Sequence, residues 1–350
     1  MAVTKINLSK ISPAELLKTR ICDLPLNIEG TWLKGCIKTL YQELDSKGIR
    51  FRPTYYLADE WLSPDEEPLV GIPFYLAHPS LMKLEKKMML DVEGGTRSWC
   101  MKLLRHETGH AINYAYKLHR RKKWKKIFGR FSKEYTDTYR FRPYSKNFVR
   151  HLEDYYAQYH PDEDFAETFA VWLTPALNWE KQYKGWKAMI KLNYVDALMR
   201  QIGPKGPLVK KGKKYWEAAR TRTTLEKFYK KKRYFHAEGF PDFHDSNLKR
   251  IFSLQSEIFP AAKKDADLIS AVEIIKRYKN SILKNVAVWT GEKKYIIADL
   301  IDTLILRCRQ LRLSTDRAEA LVLLEISAYV TALVMNYLYT GAFRRKRCAN

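Results

Sequence analysis

The sequence predicts an α+β protein that is mostly helical, with a small sheet near the N-terminus and a helical C-terminal region. Apolar residues recur at helical spacing over most of the 350 residues. Stretches 51–57 and 69–77 instead combine aromatic and β-branched residues between Pro, Asp and Gly, which predicts two strands of one small sheet. Helical periodicity dominates the last third, at 265–278, 295–311 and 317–339.

The first helices are marked by their end signals. Ser12 and Pro13 form the pattern of an N-cap followed by a first-turn proline. Apolar and aromatic residues from Trp32 to Leu44 then follow the helical period, which stops at Gly48. The N-terminal segment is therefore predicted to be helical.

Two central helices are predicted next. Thr96 is an N-cap candidate for a helix over about 97–116. The basic and aromatic stretch 119–150 has weak periodicity, and we interpret it as an insertion. Pro161 fits the first turn of the following helix, which must end near Pro175.

The composition divides the chain into three parts. Glycines, prolines and repeated Lys and Arg appear abruptly in 203–235, which is typical of a boundary between domains. We therefore predict a domain over 1–200, a basic connecting segment over 201–240 and a helical C-terminal region over 241–350.

The predicted helix 97–116 carries an H-E-x-x-H motif, His106-Glu107-Thr108-Gly109-His110. With about 3.6 residues per turn, His106 and His110 project from one face, where both imidazoles can reach a single zinc ion. Glu107 lies beside them and can take a proton from a water at the metal. The motif therefore predicts a hydrolytic Zn²⁺ site. The alternative is a chance match on an amphipathic helix.

A third ligand is predicted on the next helix, because catalytic zinc usually has three protein ligands. Glu163 and Glu167 are four residues apart and share one face. We expect Glu163 to bind the metal and Glu167 to accept the ring N–H of His106. Acidic residues are also common in the first turn of any helix. By that explanation Asp162 and Asp164 are expected at the surface.

The two motifs together resemble the active-site helices of gluzincins. The likeness rests on the H-E-x-x-H residues and on the stretch Glu163-Asp164-Phe165-Ala166-Glu167-Thr168-Phe169. It is greatest to the bacterial zinc-binding metallopeptidases and more distant to lethal-factor-like peptidases, and it covers roughly 50–200. The resemblance implies that 1–200 is a zincin-like catalytic domain which hydrolyses peptide bonds in a peptide or protein substrate.

The resemblance also implies the residue roles. His106, His110 and Glu163 are the expected zinc ligands, Glu107 the general base, and Glu167 the support of a ligand histidine. In lethal-factor-like proteins a Tyr seven residues before the ligand Glu faces the metal, and that position here is Tyr156.

Two assignments keep alternatives. A phenol near the metal could stabilise a developing oxyanion. Tyr155 and Tyr159 are alternatives to Tyr156 for this role. Packing in the core is the more common role of any single aromatic residue. His160 competes as a nitrogen ligand, although its place just before Pro161 is more typical of a helix start.

The charge allows functions beyond peptide hydrolysis. The formal net charge is +24, and two basic clusters with interleaved aromatics stand at 120–126 and 210–233. Nucleic acid or another polyanion is therefore an alternative partner, and a protease acting on nucleic-acid-bound substrates is an alternative function. Solvated helix faces whose aromatics point inward explain the same clusters. A pseudo-enzyme with a structural zinc site is the third class, against which the intact Glu107 argues.

Cysteine spacing and hydropathy bear on the compartment. The five cysteines are far apart, odd in number and never form a C-x-x-C pair, so neither a zinc ribbon nor a disulfide framework fits. Lys5, Asn7 and Lys10 interrupt the few apolar residues of 1–10, so this segment lacks the apolar core of a signal peptide. The apolar run 320–339 contains Glu325 and Asn336, so we expect a buried core helix, no membrane contact and a cytoplasmic protein.

Overall fold

The computed structural model describes residues 6–89, 91–135, 142, 144–152, 155–234, 244–254 and 268–340. The chain forms two compact units. Unit 1 comprises Met1–Lys87 and Val92–Phe228, and unit 2 comprises Met88–Asp91 and Tyr229–Asn350. The three-part division drawn from composition stays a prediction.

The protein is α+β and mostly helical, which confirms the predicted fold class. The described residues contain thirteen α-helices: α1 Pro13–Lys18, α2 Trp32–Ser46, α3 Pro79–Met89, α4 Arg97–Ala115, α5 Lys122–Phe128, α6 Pro161–Leu173, α7 Trp179–Gln182, α8 Ala188–Ile202, α9 Leu225–Tyr234, α10 Asp245–Ile251, α11 Ala271–Thr290, α12 Lys294–Gln310 and α13 Glu319–Thr340. The described strands are β1 Thr54–Ala58, β2 Leu69–Pro73, β3 Ser253–Leu254, β4 Ile269–Ser270 and β5 Leu313–Thr315.

The small N-terminal sheet forms where the sequence predicts it. Strands β1 and β2 are parallel, with Thr54 opposite Leu69 and Ala58 opposite Pro73. All five residues of β2 are buried, in keeping with the apolar composition of that stretch. Beyond β2 the predicted strand continues as a short 3-10 helix, Phe74–Ala77.

Helices α4 and α6 pack directly on each other in unit 1, and glycine makes the close approach possible. A Cβ added to Gly109 would lie 2.8 Å from the Cα of Ala166, so any side chain there would push the helices apart. All thirteen residues of α6 are buried. The helix that carries the H-E-x-x-H motif therefore lies against the helix that carries the acidic residues.

Unit 2 is built from helices with an aliphatic interior. Strands β3, β5 and β4 form a short antiparallel sheet in that order. Helix α13 buries one stripe of residues, formed by Val322, Ile326, Val330, Leu333 and Val334.

The predicted burial of the run 320–339 holds for one face of α13 only. Leu321 and Leu324 are 53% and 67% exposed. By length and composition Glu319–Leu338 is apolar enough to cross a membrane, and 28% of its most apolar window is buried. The cytoplasmic location stays a prediction.

Candidate metal centre

Helix α4 places the two motif histidines on one buried face. Its start is fixed by Thr96, whose hydroxyl accepts a hydrogen bond from the backbone N–H of Trp99 at 3.3 Å. One turn separates His106 from His110, and their ring centroids lie 4.8 Å apart. Both side chains are buried within unit 1.

Helix α6 begins with a histidine that serves as its cap. The Nδ1 of His160 accepts the backbone N–H of Asp162 at 3.1 Å, and its Nε2 donates to the backbone oxygen of Lys133 at 2.7 Å. Pro161 occupies the first turn, as predicted. Because both ring nitrogens of His160 have protein partners, the alternative of His160 as a metal ligand loses its support.

Three ligand atoms from α4 and α6 converge on one point. His106 Nε2 lies 3.1 Å from His110 Nε2 and 3.1 Å from Glu163 Oε2. His110 Nε2 lies 3.2 Å from the same carboxylate oxygen. In the part of the chain that the structure describes, these three residues form the one group of His, Cys, Asp or Glu suited to hold a metal ion.

The other nitrogen of each imidazole contacts a carboxylate, which fixes the tautomer. His106 Nδ1 donates to Glu167 Oε1 at 2.8 Å, and His110 Nδ1 donates to Asp162 Oδ2 at 2.7 Å. With the protons on Nδ1, both Nε2 atoms present lone pairs to each other and to Glu163. Three lone-pair atoms this close repel one another unless a metal ion or a proton lies between them.

The donor set fits zinc. Tetrahedral ligands at about 2.0–2.1 Å from a zinc ion are separated from each other by roughly 3.3 Å. The three separations in this site are 3.1, 3.1 and 3.2 Å. Two imidazoles and one carboxylate also form a common protein ligand set of catalytic zinc, with a fourth position left open.

Glu167 lies where the helical register places it. Its Oε1 accepts from His106, and its Oε2 accepts the backbone N–H of Leu152 at 2.9 Å. Burial raises the pKa of Glu167, but the hydrogen bond and positive charge of His106 outweigh burial and lower it. Glu167 therefore remains a carboxylate that can orient the ring.

The same contacts act on the imidazoles. Burial lowers the pKa of His106, but hydrogen bonds to Glu163 and Glu167 outweigh it and raise this pKa to about 9. In His110 burial again lowers the pKa, and the charges of Asp162 and Glu163 raise it well above its usual value. A cation that binds here competes with protons for these nitrogens.

The expectation that Asp162 and Asp164 lie at the surface is wrong. Asp162 is 1% exposed, and besides His110 it accepts from the Tyr114 hydroxyl and the Asn113 amide, both at 2.6 Å. Asp164 is 2% exposed and pairs with Lys191 at 2.6 Å. First-turn acids are exposed on an ordinary surface helix, but α6 is buried on every side.

A signal for Asp162 was present in the sequence. Asn113 and Tyr114 follow His110 by three and four residues, so they share its face of the helix. A histidine, an amide and a phenol on one buried face are all donors, and together they require an acceptor.

Glu107 is a buried carboxylate beside the cluster. It is 7% exposed, and its backbone oxygen accepts from the Ser63 hydroxyl at 2.9 Å, which holds this turn of α4. Burial, although opposed by the charges of His106 and His110, raises the pKa of Glu107. A carboxylate with a raised pKa is a stronger base than one in water.

Two phenols lie next to the ligands. The ring of Tyr156, in the 3-10 helix Tyr156–Gln158, has its centroid 5.6 Å from that of His106. Burial and the charge of Glu163 raise the pKa of Tyr156 well above 10, so it remains a donor. Tyr135, which sequence reasoning missed, donates to Glu163 Oε1 at 3.0 Å. The catalytic role of Tyr156 stays a prediction.

Comparison with known proteins supports the same chemistry. Residues 96–196 match the model of a family described as "Putative zinc-binding metallo-peptidase". The matched segment contains both helices of the candidate centre, and it agrees with the resemblance drawn from the motifs. No curated protein and no solved structure gave a match to this chain.

Proposed function

From the match of residues 96–196 to a zinc-binding metallopeptidase family, we propose that this protein is a zinc-dependent peptidase. His106, His110 and Glu163 are its metal ligands in this proposal. The observation that carries it is the convergence of their three lone-pair atoms, 3.1–3.2 Å apart, in a buried site with fixed tautomers.

Glu107 is the proposed general base. Its burial raises its pKa, so it can take a proton from the attacking water and later return that proton to the leaving amine. Zinc, when bound, polarises the scissile carbonyl and lowers the pKa of water to about 7. Tyr156 lies beside His106 and remains protonated, which supports a role in donating to the carbonyl oxygen as negative charge develops.

The experiment compares metal content and turnover. Wild type purified without chelator is expected to hold one zinc per chain, and Glu107→Gln is expected to keep that zinc. Because an amide cannot take the proton, kcat of this variant should fall by about 10²–10⁴-fold. Hydrolysis of a quenched fluorescent peptide library measures the rate, and metal analysis measures the zinc.

Glu226→Gln, an exposed carboxylate on α9, is the matched control and should change neither quantity. A folded wild type that binds no zinc on titration contradicts the proposal. Zinc binding without hydrolysis of any peptide would instead favour a structural site in a pseudo-enzyme. Undiminished hydrolysis by Glu107→Gln would assign the base elsewhere.

A further inference from the structure

A basic segment without regular secondary structure, residues 210–216, lies on unit 1 and is here called the basic strap. Immediately before it, the backbone N–H groups of Leu208 and Val209 donate to the backbone oxygen of Ala115, at 2.8 and 2.9 Å. At its end, the backbone oxygen of Tyr215 accepts from the Tyr56 hydroxyl at 3.0 Å. Both ends of the strap are therefore held by hydrogen bonds.

The strap runs from the motif helix to the strand beside it. Ala115 is the last residue of α4, and Tyr56 belongs to β1. The neighbouring β1 residue, Tyr55, forms a 3.0 Å hydrogen bond with Thr108, which adjoins the proposed base Glu107. The strap thus flanks the helix that carries the proposed catalytic groups.

The carboxylate of Glu107 contributes to the pKa of Tyr56, a residue of β1. Burial, and to a smaller extent carboxylates that include Glu107, raise the pKa of Tyr56 to about 12. Tyr56 in turn holds the end of the strap. Through the contacts of Ala115 with the residues just before the strap and of β1 with Thr108, a polypeptide bound along the strap lies beside the motif helix.

The strap presents lysines that are not neutralised by the protein. All seven of its residues are exposed. Lys214 pairs with Glu217 at 2.9 Å. Among the described residues, Lys210, Lys211 and Lys213 make no ion pair, although the carboxylate of Glu67 lies close to the strap at Gly212. Three unpaired cations in four positions make this a local positive surface.

The strap also holds an aromatic side chain in solvent. Trp216 is 63% exposed and has a left-handed backbone with φ of 48°. The basic cluster on α5 differs in this respect, since Trp124 and Phe128 are buried beneath its exposed lysines. Of the basic strap and the α5 cluster, only the strap has both lysines without an ion pair and an exposed indole ring.

We propose that the basic strap selects polypeptide substrates that carry acidic residues to one side of the bond to be cut. This inference rests on the proposed peptidase function and assigns its substrate class. Lys210, Lys211 and Lys213 attract the acidic side chains, and Trp216 covers an apolar part of the bound chain.

The observations favour an acidic polypeptide over single-stranded nucleic acid. Nucleic-acid platforms stack successive bases on accessible aromatic faces. The rings of Tyr215 and Trp216 are 6.0 Å apart and tilted by 52°, and Lys213 lies over the Tyr215 ring at 5.0 Å. These rings do not offer two parallel faces, and the strap flanks the motif helix.

The test measures binding, so it does not require turnover. The protein is the zinc-loaded full chain with Glu107→Gln, and the probes are a fluorescein-labelled peptide rich in Asp and Glu and its Asn and Gln counterpart. Lys210→Gln, Lys211→Gln and Lys213→Gln are combined in one variant. By fluorescence anisotropy this variant should bind the acidic peptide about 3- to 100-fold more weakly at low salt, with neutral-peptide affinity unchanged.

The matched control combines Lys122→Gln, Lys125→Gln and Lys126→Gln on α5, with the same change in net charge. It should weaken binding of the acidic peptide by less than about twofold. Equal weakening by both triple variants would overturn the proposal in favour of a general charge effect. Tighter binding of oligothymidine, lost in the strap variant, would overturn it in favour of nucleic acid.

The two proposals fail separately. If the strap variant loses acidic-peptide binding while wild type cuts no peptide, the strap remains a binding surface for acidic polypeptides, and the peptidase function falls together with the strap's role in substrate selection. If wild type cuts acidic and neutral peptides equally well and the strap variant binds both as wild type does, the peptidase stands and the strap proposal falls. Unchanged melting temperatures of both triple variants show that all comparisons concern folded protein.

Discussion

The interiors of the two units differ in kind. Between α4 and α6 in unit 1, the buried side chains are ionisable: His106, His110, Asp162, Glu163 and Glu167 are all 1–6% exposed. Between α11, α12 and α13 in unit 2, they are aliphatic: Ile274, Ile275, Ile301, Leu304 and Ile326 have no exposed surface. Both interiors are helix packings, so secondary structure does not explain the difference.

The two interiors therefore contribute differently to the free energy of unfolding. Each buried CH₂ group contributes about 0.8 kcal/mol of favourable transfer free energy. Removing an ion from water costs several kcal/mol, which a partner repays only when the geometry and the remaining hydrogen bonds are good. An aliphatic interior therefore stabilises unit 2 without any chemical role. The polar interior of unit 1 lowers the free energy of unfolding. The proposed metal site and the proposed reaction explain why ionisable groups are buried there.

The largest expected effect is on zinc affinity when the third ligand is changed. Glu163→Gln replaces the anionic oxygen at the convergence point with a neutral amide. We expect zinc affinity to fall by more than the 10–100-fold typical of residues that only support ligands. Titration against a competing chelator measures it. An unchanged affinity would remove Glu163 from the ligand set.

A substitution in the aliphatic interior of unit 2 should lower stability and leave zinc affinity unchanged. Ile326→Ala empties a fully buried position of α13 and should lower the free energy of unfolding by about 2–5 kcal/mol. Zinc affinity should not change. Leu324→Ala, on the 67% exposed side of the same helix, is the control and should cost less than about 0.5 kcal/mol. Denaturant titration followed by circular dichroism reports both values.

A smaller effect is expected from the carboxylates that hold the ligand rings. Asp162→Asn and Glu167→Gln each leave the three ligands in place but weaken a hydrogen bond to an Nδ1 atom. Each should reduce zinc affinity about 10–100-fold, which is less than Glu163→Gln. Chelator competition measures the order of the three variants.

Asp164→Asn is the matched control for these carboxylates. It lies on the same helix and is equally buried, but it contacts Lys191 rather than a histidine. Its zinc affinity should equal that of wild type while its stability falls. If Glu167→Gln lost more zinc than Glu163→Gln, the assignment of ligand and support would be reversed.

The smallest effect is expected at the helix crossing. Gly109→Ala gains about 1 kcal/mol in helix propensity, but its methyl group would meet the backbone of Ala166. Overpacking costs about 1–3 kcal/mol, so we expect a net loss of up to about 2 kcal/mol with weaker zinc binding. Gly35→Ala, a helical glycine with space around it, should stabilise the protein. If thermal unfolding showed that Gly109→Ala is also more stable than wild type, α4 and α6 would be able to move apart at little cost.

The sequence sufficed for the local parts of the centre. His106, His110, Glu163 and Glu167 follow from four-residue spacing, which any helix turns into a shared face. The structure brings these four side chains together as that spacing predicts. The two predicted strands and the two central helices also formed, because turn and cap signals at their ends are local.

The missed residues depend on packing between distant segments. Asp162 is buried because α6 is covered on all sides, which no property of the helix itself reveals. Tyr135 reaches Glu163 from a stretch without periodicity. The exposed face of α13 was missed for the same reason, since an apolar run does not show how much of it a neighbour covers.

If zinc binds between α4 and α6 as proposed, the stability of the protein also depends on the supply of the metal. A ligand that binds only the folded state stabilises it by mass action, by about 4.1 kcal/mol at a free concentration 1,000 times its Kd. Zinc would act in this way on unit 1, whereas the described part of unit 2 contains no comparable cluster. With little zinc available, unit 1 would open more often and be exposed to proteolysis, so the amount of protein in a cell would follow the zinc concentration.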